Sequence, residues 1–140
     1  MAIDFTTGLG PRALERLEND ELIWLTTTGT GGQPNPNPVW FIWKDERMLI
    51  LSNSRAARVR AIRRNPRVAL SFNSNATGGD IIIFNGIADA DEKPLAPEDA
   101  AAYIVKYREG MERLGYTPET YGKEFDLAIT VDLTRLRGFE

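Results

Sequence analysis

Cysteine and histidine are both absent from this 140-residue chain. Without cysteine there is no disulfide, no thiol nucleophile and no thiolate metal site. Without histidine the commonest general base and the commonest metal ligand are gone. A Ser-His-Asp triad, a His-ligated zinc and a His-ligated haem are excluded within this chain. Long apolar runs are missing too. No segment approaches the roughly 20 residues that span a bilayer, and the N-terminus has no signal-type apolar core. A soluble, cytoplasmic protein without a membrane partner is expected. Positive charge is not in excess either. The formal net charge is −3, which argues against broad nucleic-acid binding. If the chain is an enzyme, a bound cofactor carries the hard step.

What is present suits one compact domain over residues 1–140. Pro11, Leu14 and Leu17 mark a short amphipathic helix over 11–20. Residues 21–28 are rich in β-branched and aromatic types and read as a strand. A Gly-rich turn follows, then three prolines at alternate positions, Pro34, Pro36 and Pro38. Proline cannot donate to a ladder, so that stretch must be extended and lie at an edge or bulge. Strands are expected over 39–43, 48–52, 68–73, 80–90 and 125–133, with a bulge or close contact at Gly86. A polar hairpin tip spans 44–47. A basic helix is expected over 54–65, capped by Ser54 and stopped by Pro66. Further helices are expected over 97–114 and 118–123. The expected fold is mainly β, a six-stranded antiparallel split β-barrel with peripheral helices.

Six arginines fall between Arg55 and Arg67. At helical spacing Arg58 borders the apolar face, while Arg60 and Arg64 point away from it. With Ser52, Asn53 and Ser54 just before the helix, this could be a phosphate cradle. It could equally be a solvated basic surface. Trp40, Phe41 and Trp43 are three aromatics in four residues. One face of that strand can pack a core, and the other can meet a planar ring or a partner. Thr26, Thr27 and Thr28 are good strand residues whose hydroxyls can also bind a ligand. Asp89, Asp91 and Glu92 lack the company a metal site needs. Tyr103 and Tyr107, at helix spacing, read as packing residues.

The order of these motifs resembles a known family. Leu25-Thr26-Thr27-Thr28 leads into the Gly-rich turn and Gln33-Pro34. Pro38-Val39-Trp40-Phe41, Leu49-Ile50-Leu51-Ser52, the basic helix and Asn65-Pro66-Arg67-Val68-Ala69-Leu70 follow. This series is similar to the FMN/deazaflavin-binding split-barrel superfamily named for pyridoxamine phosphate oxidase. Its nearest branch resembles the actinobacterial F420-dependent enzymes. The resemblance implies a homodimer with cofactor sites at the interface and a small-molecule substrate. It implies coenzyme F420, or alternatively FMN, with hydride transfer to or from an unsaturated compound. A non-catalytic flavin carrier is the alternative from another class. Arg58, Arg60 and Ser52 are expected at the phosphate, Thr27 at the ribityl region, and Val39, Trp40 and Phe41 around the tricyclic ring. No protein residue is assigned to catalysis and none to a metal. Many relatives carry Asn three residues after the basic position, where this chain has Ala61. The Arg/His-bearing C-terminal segment of true pyridoxamine phosphate oxidases has no counterpart here, so vitamer oxidation is not expected.

Overall fold

A computed structural model describes residues 2–90 and 94–140. The expected Asp91 and Glu92 lie outside the described residues. Helix α1 (Gly10–Asn19) precedes β1 (Ile23–Thr28), β2 (Pro34–Val39), β3 (Ile42–Lys44) and β4 (Arg47–Ser52). Then come α2 (Ala57–Arg64), β5 (Arg67–Ser71), β6 (Ile81–Asp89), α3 (Pro97–Arg113), α4 (Pro118–Glu124) and β7 (Leu127–Phe139). The strands form one sheet in the order β2-β1-β5-β6-β7-β4-β3, and every pairing is antiparallel. The sheet curls into a half-barrel with the helices on its periphery. It has seven strands where six were expected. No helix of the described residues is long and apolar enough to cross a membrane.

The seventh strand comes from splitting the expected 39–43 strand. β2 begins at the prolines and ends at Val39, and β3 begins at Ile42. These two strands are the opposite edges of the sheet, yet only Trp40 and Phe41 separate them. The three Cα–Cα steps from Val39 to Ile42 reach at most about 11 Å. The sheet must therefore curl until its edges nearly meet, and Trp40–Phe41 stitches the seam. The prolines explain why β2 is an edge. Pro34, Pro36 and Pro38 pair with Thr28, Thr26 and Trp24. Alternate residues point their nitrogens to one side, so all three missing donors fall on the unpaired flank.

The β3–β4 turn at Asp45 and Glu46 holds both residues at positive φ, 54° and 59°, the mirror-image turn that matches strand twist. Gly86 is both things expected of it. The β6–β7 register shifts between Asn85 and Gly86, and a Cβ there would come within 2.8 Å of Val131. β7 runs six residues past the expected Leu133. Its last residues pair with Ile81–Asn85 on the far side of that bulge.

The inner face of the half-barrel is aliphatic, with Phe41, Phe72 and Phe84 added. Leu25, Ile50, Leu70, Ile82 and Ile129 fill its centre. A second cluster lies on the outer face, where α3 and α4 cover Ile42 and Leu49 with Tyr103, Tyr107, Met111 and Tyr121.

Candidate functional site

Leaving the ladder at the seam frees the backbone groups of Phe41, and buried polar groups must find partners. Both are taken by α3. The Phe41 N–H donates to Tyr107 Oη at 2.8 Å. The Phe41 carbonyl accepts from Lys106 Nζ at 2.8 Å and lies 2.7 Å from Tyr107 Oη. Tyr107 Oη also lies 2.8 Å from the Glu21 carbonyl. A phenol has one proton, so with Lys106 on Phe41 it can serve Glu21. One hydroxyl thus ties α3 to both the seam and the start of β1. Burial pushes the Tyr107 pKa up, and the Phe41 N–H opposes that rise.

Trp40 is held by stacking. Its indole is 4.5 Å from the Tyr107 ring at 3° and 5.5 Å from Tyr121 at 11°. Tyr121 shares a hydroxyl contact of 3.0 Å with Tyr103. A Cβ at position 110 would stand 3.0 Å from the indole edge, so Gly110 lets α3 approach this closely.

Beside Trp40 opens a cleft of about 180 Å3 whose lining includes Val39, Leu51, Arg58, Tyr121 and Phe125. Val39, Trp40 and Arg58 therefore line one cleft. Arg58 is half-buried, and its Nη1 donates to Ser52 Oγ at 3.2 Å. Ser52 itself is fully buried behind it. No described carboxylate pairs with Arg58. Burial alone moves its pKa, downward. A cation held half out of water without a counter-charge is costly, and an anion placed there would relieve it.

A second cavity of about 530 Å3 lies along β2 and α2 and shares no lining residue with the first. Its lining includes Thr27, Asn35, Asn37, Ala57, Arg60 and Arg64. Thr27 and Arg60 belong to this cavity, not to the Arg58 cleft. Thr27 is buried, whereas Arg60 is exposed and bonds the Arg55 carbonyl at 3.0 Å. Phe41 differs from the other site candidates. Its ring is fully buried in the inner core, and only its backbone belongs to the seam.

The expected cap at Ser54 is corrected. The helix is capped at Ala56 without a side-chain bond. Ser54 instead gives its N–H and hydroxyl to Asp126, at 2.8 and 3.0 Å. Those bonds hold the Asp126 pKa below the ordinary carboxylate range. The amides of Arg55 and Ala56 are taken by Asn53. The stretch before the helix is therefore no open phosphate cradle, and Arg58 is the half-buried cation that lines the cleft here. Sequence reasoning also passed over Lys106 and the hydroxyl of Tyr107. Their only sequence signal was two tyrosines four residues apart on an amphipathic helix.

A model of the family described as pyridoxamine 5'-phosphate oxidase matches residues 9–124. No curated protein matches the chain. Among solved structures, an F420 reductase is 23% identical with a TM-score of 0.67, covering 88% of this chain and 94% of its own. The haem storage protein HutZ from Vibrio cholerae is 18% identical with a TM-score of 0.63, covering 94% and 95%. A FAD-binding protein from Mesorhizobium loti is 12% identical with a TM-score of 0.66, covering 90% of each chain. At such identities these three establish the shared fold.

Proposed function

Because the chain belongs to the pyridoxamine 5'-phosphate oxidase family, we propose that it is a flavin-type oxidoreductase that uses coenzyme F420. It transfers a hydride between the deazaflavin and a small unsaturated organic substrate. The observation that carries this reading is Arg58, a half-buried guanidinium with a single hydroxyl partner beside an aromatic wall. That arrangement suits a phosphate joined to a planar ring. Val39 and Trp40 wall the ring's side of the cleft, and Ser52 orients the guanidinium. The haem reading has no support in a chain without histidine.

F420 is favoured over FMN by the second cavity. FMN ends at its phosphate, whereas F420 continues into an acidic tail. Arg60 and Arg64 line this separate cavity along β2, two cations suited to such a tail, with Thr27 in its wall. The bound deazaflavin supplies the hydride chemistry. The chain's residues supply affinity, orientation and exclusion of water.

The cleft of one chain holds about 180 Å3, below the roughly 300–1,000 Å3 of ligand pockets, which suits completion by a second copy. A homodimer with its sites at the interface is part of this proposal, and sedimentation equilibrium checks it.

Absorbance titration of the purified protein with F420 and with FMN tests the cofactor. F420 binds the more tightly on this reading, and preference for FMN overturns it. Arg58→Ala weakens F420 binding by about 1.5–3 kcal/mol, the scale of a charge-assisted bond. Unchanged affinity would remove Arg58 from the site.

A further inference from the structure

Trp40 has a neighbour on its other side. With Glu21, Lys106, Tyr107, Arg108 and Arg113 it lines a separate cavity of about 360 Å3 between α3 and the seam. That volume falls within the range of small-molecule pockets. Lys106 is half-buried in its wall. The ammonium spends one hydrogen bond on the Phe41 carbonyl and rests 3.9 Å over the Phe41 ring. It pairs with no described carboxylate. An ammonium carries three donors, so two remain unspent. Arg108 and Arg113 also lack ion pairs among the described residues. Three cations thus face this cavity against two carboxylates, Glu21 and Glu109. Trp40 and Tyr107 give it an aromatic side, and Val105 and Gly110 complete the lining.

We propose that this cavity is a second binding site, and that it takes a planar unsaturated carboxylate anchored through its carboxylate on Lys106. Trp40 is the residue that lines both this cavity and the Arg58 cleft, so a ligand seated here is held apart from that cleft. The unsaturated frame packs on the aromatic side, and Arg108 and Arg113 hold negative charge at the mouth. The groups that set the charge on Lys106 come from both packed elements. Asp20 and Glu21, on the link from α1 to β1, push its pKa up. Burial between α3 and the seam outweighs them and brings it down to about 8. Tyr107, Arg108, Glu109 and Arg113 of α3 line the same cavity. The anchor is therefore charged below about pH 8 and is lost above it.

Calorimetric titration of the cofactor-free protein with cinnamate, against neutral cinnamyl alcohol, tests this directly. Cinnamate saturates at neutral pH, the alcohol does not, and cinnamate affinity falls as pH rises past 8. Lys106→Met weakens cinnamate about tenfold or more, the scale of one charged hydrogen bond. Lys106→Arg retains most of the binding. Tyr107 still contacts the Phe41 carbonyl, so the Lys106→Met chain folds, and its melting curve verifies that. No saturation by cinnamate overturns the proposal. So does equal binding of the alcohol, equal affinity in Lys106→Met, or failure of Lys106→Arg to restore it. The titration needs no F420, so a failed cofactor assignment and a failed second site show up in separate experiments.

Discussion

Two apolar layers lie back to back on one curled sheet, and they are built from different chemistry. The inner layer is almost wholly aliphatic, with phenylalanines that carry no polar handle. The outer layer, under α3 and α4, gathers four tyrosines around one tryptophan, beside Ile42, Leu49 and Met111. Alternation along a strand separates them: Phe41, Met48 and Ile50 face in, while Ile42 and Leu49 face out. The inner layer gains free energy from area removed from water, which has no direction. The outer layer adds stacking and hydrogen bonds, which do have direction. The first holds the sheet curled. The second fixes where Trp40 and the Phe41 backbone stand.

The sharpest way to break this contrast is to cut one group from each layer. Phe84→Ala, in the inner layer, removes a fully buried ring and costs about 3–5 kcal/mol in urea unfolding. Tyr107→Phe, in the outer layer, keeps the ring and deletes only the hydroxyl. It leaves the Phe41 N–H and the Glu21 carbonyl short of a partner and costs about 1–3 kcal/mol. It also disturbs Trp40, read as a changed near-ultraviolet circular dichroism. An outer-layer cost equal to that of Phe84→Ala, or an unchanged Trp40 signal, would erase the distinction.

The smallest effect is a pH dependence confined to the outer layer. The folded-state pKa of Lys106 is about 8, below its ordinary 10.5. Between those values the unfolded chain binds the proton that the folded chain has released. Stability therefore rises with pH across that interval through this group. Below about pH 8 both states are charged and the cost of burying the ammonium is fully present. The buried tyrosines work the other way. Their raised pKa values make stability fall once the unfolded phenols ionise, near 10. The clean window is thus pH 8–10. Lys106→Met flattens the rise in urea midpoint there, and an unaltered slope would place the titration elsewhere.

Much of this was legible along the chain. Alternate prolines announced an extended stretch at an edge or bulge, and the structure makes it an edge strand. Gly86 announced a bulge. Val39, Trp40 and Arg58 were marked as site residues and do line one cleft. The break after Val39 was not legible, since VWFIW has the composition of one continuous strand. Ser54 has the chemistry of a cap, but Asp126, 72 residues away, claims both of its donors. The last six residues of β7 lie beyond the strand expected to end at Leu133. Arg135 and Arg137 sit opposite Asn85 and Ile83, and their charged groups stay in water.

What the sequence determined by itself is local: strand and helix identity, the edge set by proline, the chemistry barred by the missing cysteine and histidine, and the motif order that marks the family. What only the tertiary structure decided is which distant groups meet. The curl brings the two sheet edges within two residues of each other, and only then do the freed Phe41 groups need α3. Lys106 and Tyr107 answer that need from 65 and 66 residues away. No local pattern encodes such a meeting, because hydrogen-bond demand at the seam exists only once the sheet has closed upon it.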